Sequence, residues 1–291
     1  MNLPKINSIH PDETFFTTPL TSIAVVPKTL YIRGKLPGER KISVAIVGSR
    51  RPTPYGIEVT QRLADELARR GIVIISGLAL GIDAIAHRAA LDAGGTTIAV
   101  LGSGVEYITP HTNARLGHEI IDKGGAIISE YAPFSTVYAS HFVERNRIVS
   151  GLADAVIVTE AALHSGTMST VGHALDQGRE VFAVPGPITS PMSVGCNAMI
   201  RSGAHIVTGV EDILNVLMPE TATGAEPNRH LQFATNEAEH AIISLLEQGI
   251  RDGDELLSRS GLDISTYNQN LTMLEIRGVV RPLGGNLWTL A

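Results

Sequence analysis

The chain has 291 residues, 44% of them apolar, and a formal net charge of −6. That is material for one large domain or two modest ones, and too acidic for a protein that grips nucleic acid through a broad basic face. No apolar run nears the roughly 18 residues of a membrane span. Cys196 is the single cysteine, which excludes an internal disulfide and suits a cytoplasmic protein with no membrane partner.

Residues 1–41 are punctuated by Pro4, Pro11, Pro19, Pro27 and Pro37. Leu30-Tyr31-Ile32 reads as a short strand, and the segment as an N-terminal arm packing on the core. From Ser43 a regular alternation begins. Val44 to Val47 is an apolar strand ending at Gly48-Ser49-Arg50. Thr53 suits a helix cap and Pro54 the first helical position. Val59, Leu63 and Leu67 give that helix its apolar face, and Gly71 closes it. Val73 to Ile75 is the next strand and ends at Ser76-Gly77, with Gly81 and Asp83 close behind. A helix over about 83–93 stops at Gly94-Gly95. A strand over 97–101 ends at Gly102-Ser103-Gly104, and a helix over about 112–123 stops at Gly124-Gly125. Ala126 to Ser129 is the fourth strand of this series.

Residues 131–143 look irregular and hold Tyr131, Phe134, Tyr138, His141 and Phe142. A helix is expected over 144–153, then a strand over 155–159. The loop through His164-Ser165-Gly166-Thr167 leads into a helix ending at Gly178. A strand over 181–184 runs into Pro185-Gly186, and a helix–strand–helix unit fills 197–217. Apolar strands separated by helices mean a mostly parallel sheet covered on both faces. Residues 219–236, rich in Thr, Ala, Gly and Pro, read as a linker. Residues 237–291 read as three helices and a hairpin, a winged helix, preceded by a cap at Asn236. They hold four arginines and no lysine against eight acids, a net of −4.

In an open parallel sheet, ligands bind beyond the strand C-termini. Five such loops converge there: Gly48-Ser49-Arg50, Ser76-Gly77 with Gly81, Gly102-Ser103-Gly104, Ser165-Gly166-Thr167 and Pro185-Gly186. Glycine permits close backbone approach and the hydroxyls add donors. Helix N-termini there favour anions, and Arg50 adds a planar fork for phosphate. The reading is a phosphate-binding crevice. Neither the ATP-binding Gly-x-x-x-x-Gly-Lys pattern nor the three-glycine dinucleotide fingerprint is present, and no histidine falls in a metal-ligand pattern, so no cofactor is implied. Arg145 and Arg147, at a helix start, either reinforce the anion site or pair with Glu144 or Asp154. Phe142 either stacks on a base or joins the core. Arg50 either faces the crevice or pairs with Glu160.

Val47-Gly48-Ser49-Arg50, Ser76-Gly77-Leu78-Ala79-x-Gly81-Ile82-Asp83, Arg145-Asn146-Arg147-Ile148, Ser165-Gly166-Thr167 and Val184-Pro185-Gly186 together resemble the DNA-processing protein A (Smf) family over about residues 19–218. The tail resembles that family's winged-helix domain. The resemblance implies an extended Rossmann-like fold that binds and protects single-stranded DNA, forms homodimers, loads the RecA recombinase during natural transformation, and catalyses nothing. By position, Arg50 grips the DNA backbone, Phe142 lies beside the bases, Ser165-Gly166-Thr167 share the pocket, and Ile200 and Leu214 fall where the family dimerises. The chain departs from the pattern at His164, where many members carry Lys or Arg, and at Ala139, Thr109 and Val143. The helical domain that many members carry before the arm has no counterpart here. Fewer cations predict weaker binding.

Two other readings compete. A nucleotide-binding Rossmann protein related to the nucleotide phosphoribohydrolases would need the glutamate of Pro-Gly-Gly-x-Gly-Thr-x-x-Glu, and Thr170 stands at that position. A phosphate-ligand sensor signalling through the tail fits the same loops.

Overall fold

A computed structural model describes residues 4–218 and 236–290. The chain divides into two compact units, residues 1–217 and 218–291. The predicted linker, Asn236 apart, lies outside the described residues.

The first unit is a nine-stranded sheet. In chain order its strands are β1 (Asn7–Ile9), β2 (Leu30–Gly34), β3 (Ser43–Val47), β4 (Val73–Ser76), β5 (Thr97–Val100), β6 (Ala126–Ser129), β7 (Ala155–Val158), β8 (Glu180–Ala183) and β9 (His205–Ile206). Their spatial order is β1-β2-β6-β5-β4-β3-β7-β8-β9. The pairs from β6 through β9 are parallel, whereas β1 and β2 join antiparallel at one edge. The helices are α1 (Pro54–Arg69), α2 (Ile82–Asp92), α3 (Ala114–Asp122), α4 (Ala139–Glu144), α5 (Asn146–Leu152), α6 (Thr167–Asp176), α7 (Val194–Arg201) and α8 (Val210–Leu217).

The two-residue period of the strands sorts the core. Ala45, Val47, Val73, Ile75, Val156 and Val158 face one way, towards α5, α6 and α7. Val44, Ile46, Ile74, Ala155, Ile157 and Phe182 face the other, towards α1, α2 and α8. Leu116, Ile120 and Ile121 of α3 close a third cluster over Ala99, Leu101 and Ile127.

The arm does more than pack on the sheet: it supplies β1 and β2. Phe16, Leu20 and Ile23, between those strands, are buried in the α5–α6–α7 side of the core. Each such burial stabilises by roughly 1.5–3 kcal/mol, so residues 7–41 belong to the domain. Asp154 anchors the exit of the arm, accepting from Arg40 at 2.5 Å and from the Ser43 amide at 2.8 Å.

The helix expected over 144–153 is two short helices, α4 and α5, meeting at Arg145. The chain tightens there, with the Ile148 amide donating to the Arg145 carbonyl at 2.8 Å. The stretch read as irregular is therefore helical from Ala139. The helix expected over 112–123 opens with a 3-10 turn at His111–Asn113 and becomes α-helical at Ala114.

The second unit has its own core. Helices α9 (Glu237–Glu247), α10 (Gly253–Ser260) and α11 (Ile264–Ile276) enclose Ile242, Ile243, Leu246, Leu256, Tyr267, Leu271 and Leu274. The hairpin β10 (Val280–Gly284) and β11 (Leu287–Leu290) completes a winged helix. Asn236 caps α9, accepting from the Glu239 amide at 2.9 Å, and Asp252 and Asp263 cap the next two helices.

Candidate functional site

Chain order runs β3-β4-β5-β6 outward in one direction, then returns to place β7 against the other side of β3. That reversal makes β3–β7 the topological switch point, where an open parallel sheet leaves a crevice at its C-terminal edge. The loop after β3 holds Gly48, Ser49 and Arg50, and the loop after β7 holds Glu160 to Gly166.

The floor of this crevice is fixed by backbone contacts. The Ser49 amide donates to the Glu160 carbonyl at 2.8 Å, and the Ile82 amide donates to the Ser49 carbonyl at 3.0 Å. A Cβ on Gly48 would lie 2.7 Å from both the Glu160 carbonyl and Ile82. Gly81 has φ +78°, a backbone that L side chains rarely adopt, and its open face presses on the Ser49 carbonyl and the Arg50 backbone. Three loops thus hold Arg50 in place through glycine contacts. Its own side chain is exposed and, among the described residues, makes no hydrogen bond or ion pair.

Glu160 does not pair with Arg50. It is buried, and its carboxylate accepts from the Thr53 amide at 2.8 Å and the Thr53 hydroxyl at 2.6 Å. It therefore sits on the N-terminus of α1, with Gly56 pressed against it. The expectation that this helix end is open to an anion is corrected: a protein carboxylate already occupies it. The exposed Thr-Pro helix start was legible, but the acid on it comes from more than a hundred residues away.

The N-terminus of α6 is different. It has no side-chain cap. Among the described residues, the amides of Ser165, Gly166 and Thr167 donate to no acceptor, and the buried Ser165 Oγ has no partner. A Cβ on Gly166 would meet nothing. Unpaired amides at the positive end of a ten-residue helix form an anion site. His164 is exposed beside it.

Four predicted site residues turn out to be occupied by the fold. Arg145 is buried, with its guanidinium directed inward. It donates to the Gly77 carbonyl at 2.6 Å and to the Val100 carbonyl, tying the ends of β4 and β5. Gly77 is the slot that admits it: a Cβ there would collide with the guanidinium. Burial pulls the Arg145 pKa down to about 10, while the nearby Asp83 carboxylate opposes that fall. Asp83 accepts from the Gly77 amide at 3.1 Å and the Ala79 amide at 3.3 Å, so Gly77 has no amide left for a ligand. Burial pushes the Asp83 pKa up, against the pull of Arg145. Ser76 is buried and donates to the Ile46 carbonyl at 2.7 Å. Arg147 makes a bidentate pair with Glu130 at 2.6 and 2.9 Å, not with Glu144 or Asp154 carboxylates. These four hold the edge together rather than facing a ligand.

Phe142 is half-buried. Its ring and backbone lie against Gly102, where a Cβ would stand 3.0 Å from the ring. It thus lines the edge above β5 with part of its ring open. Among the described residues, no group of three or more His, Cys, Asp or Glu could hold a metal ion, and no helix is long and apolar enough to cross a membrane.

A nine-stranded, mostly parallel sheet with a switch-point crevice defines a Rossmann-like protein carrying a winged helix. Residues 7–218 match the family model of DNA recombination-mediator protein A, and residues 226–286 match the DprA winged-helix domain. The chain belongs to this family. It is 44% identical to Protein Smf of Escherichia coli K12, over 97% of this chain and 77% of that one. The solved DNA processing protein A of Streptococcus pneumoniae is similar at TM-score 0.67 and 39% identity, covering 72% of this chain and 74% of that one. The protein from Helicobacter pylori, whose structure addresses its single-stranded DNA binding mode, is similar at TM-score 0.66 and 32% identity, covering 75% and 97%.

Proposed function

We propose that this chain is a single-stranded DNA-binding protein that acts without catalysis, protects the strand, and hands it to the RecA recombinase in natural transformation or recombination. The observation that carries this is the unpaired, exposed Arg50 at the switch point. The free amides of Ser165, Gly166 and Thr167 follow the neighbouring strand. Together they offer a fork and a nest to consecutive phosphates, and the half-open Phe142 offers a face to a base. The crevice is a local feature of an acidic protein, which suits one strand better than a duplex. The Helicobacter pylori relative's single-stranded DNA binding supports the same reading.

The phosphoribohydrolase-like alternative finds no support in this edge. Thr170, at the position of the hydrolytic glutamate, is buried in α6, and Glu160 is committed to Thr53. A second copy of the chain fits the other end of the sheet. Both residues of the edge strand β9 are exposed, as are Ile188 in the loop before α7 and Val194 at its first position. Ile200 and Leu214 themselves are half-buried against the core, so they would support such an interface from beneath.

Fluorescence anisotropy with labelled single- and double-stranded oligonucleotides over a salt series tests the reading. Binding should favour the single strand, with a shallow salt slope reflecting about two to four phosphates at roughly 0.7 each. Equal affinity for duplex and single strand would count against it.

A further inference from the structure

The loops after β5 and β6 carry aromatic rings that the fold leaves open. Tyr107 is 61% exposed, Phe134 72% and Tyr138 60%. Aromatic residues are only 4% of the chain, so three open rings at one end of one sheet are a local concentration. Tyr107 and Phe134 meet edge to face with centroids 5.9 Å apart. Tyr131 stacks on His141 at 3.8 Å, and Tyr138 meets the same imidazole edge-on at 5.2 Å.

The rings stand on a rigid base. Gly104 lies against the carbonyls of Ala132 and Pro133 with no room for a Cβ, which locks the two loops together. The Ser103 hydroxyl donates to the Tyr107 carbonyl at 2.9 Å, and the Tyr131 hydroxyl donates to Glu144 at 2.9 Å. Rigid aromatic surface loses little freedom when something stacks on it.

Their place in the sheet decides what reaches them. Strands β3, β4, β5 and β6 are consecutive parallel neighbours, so the loops beyond them form a row. Arg50 heads it, Phe142 comes next on Gly102, and the rings end it. His141, which supports the second ring group, is the residue before Phe142. Two nearby acids are paired, Glu106 with Arg33 at 2.8 Å and Glu130 with Arg147 at 2.6 Å, while Glu144, which accepts from the Tyr131 hydroxyl, has no cation partner among the described residues. The surface thus has no free cation to attract phosphates at those positions. What it offers is ring faces, and every base has a π-face to match.

We propose that Tyr107, Phe134 and Tyr138, steadied by Tyr131 and His141, form a second base-stacking platform for the single strand that leaves the Arg50 crevice. The platform lengthens the footprint beyond the crevice and gives affinity a dependence on strand length. It rests on the crevice reading above.

The test compares thymidine oligonucleotides of about 5 and about 20 nucleotides, lengths chosen to occupy the crevice alone or the crevice and platform. Anisotropy is measured on the full chain, on Tyr107→Ala with Phe134→Ala, and on Arg50→Ala. The double variant should lose about ten- to hundredfold in affinity for the long strand and nothing for the short one. Phe134→Trp should lose fluorescence on adding the long strand and keep it on adding the short one. Tyr107→Phe, which keeps the ring face, should bind both like the parent. Equal loss on both lengths means that the rings only shape the crevice, and overturns the platform. Unchanged binding of both lengths overturns it as well and leaves the crevice standing; if the double variant then also loses a self-association seen in the parent by sedimentation, the rings are a protein contact. Unchanged binding by Arg50→Ala is a separate result that sinks the crevice reading and the platform's continuity with it.

Discussion

The Arg145 guanidinium occupies the space where Gly77 lacks a side chain, and donates to the Gly77 carbonyl at 2.6 Å. An arginine two residues from a second one, at a helix start beside an anion site, looks like a ligand-binding group. Here it is a bolt between the ends of β4 and β5, with the Asp83 carboxylate as its electrostatic counterpart.

Removing the bolt leaves Asp83 and two carbonyls without their cation. Arg145→Ala should therefore destabilise the first unit by about 3–5 kcal/mol, read as a lower urea midpoint. Arg145→Lys should recover part of the loss, because a single nitrogen, Nη1, donates to both carbonyls and an ammonium carries three donors. A variant that keeps its midpoint but loses DNA affinity would return Arg145 to the ligand.

Gly81 makes a second prediction. Its φ of +78° and its contact with the Ser49 carbonyl both exclude a Cβ. Gly81→Ala should cost about 1–3 kcal/mol of stability and, by displacing the Arg50 loop, lower DNA affinity even where the protein remains folded. Thermal melting and anisotropy on one preparation check both effects.

His87 gives the fold a defined acid response. It is buried under β4 and β5, its Nδ1 2.6 Å from Thr97 Oγ1, whose hydroxyl donates to the Ile74 carbonyl at 2.7 Å. Burial, with the nearby Arg145 charge, drives its pKa from 6.5 to about 3. The unfolded chain therefore takes up a proton between those values that the folded chain refuses. Stability from this source is complete above pH 6.5 and falls as the pH drops towards 3, by up to roughly 5 kcal/mol. Asp83, whose pKa is raised by burial, contributes with the opposite slope. Urea denaturation at several pH values should show the acid loss in the parent and a shallower one in His87→Phe. Parallel curves for the two would contradict the assignment.

Much of this was legible from residue patterns, and the failures share a cause. Val44 to Val47 followed by Gly48, and Thr53-Pro54 at a helix start, are local signals, and both held. The strand β1 was missed because three largely exposed residues leave no period to read. The direction of each arginine was not legible, since Arg50, Arg145 and Arg147 differ only in distant partners. Arg145 has the cavity at Gly77, Arg147 has Glu130, and Arg50 has neither. The same holds for Glu160, whose partner Thr53 lies far off in sequence. Gly77 with Asp83 six residues on was the one hint that a buried cation belongs there.

Arg50 is the side chain this crevice leaves open to a phosphate, and Arg50→Ala removes that contact alone. Binding of a labelled single strand and thermal melting are followed on the same preparation. Losing a charge-assisted contact should weaken binding by about 1.5–3 kcal/mol, roughly ten- to a hundredfold. The melting temperature should stay where it is, because the side chain supports nothing in the fold. Arg50→Lys should restore part of the affinity. Parental affinity in the alanine variant, or a loss that merely follows a lowered melting temperature, would remove Arg50 from the DNA site.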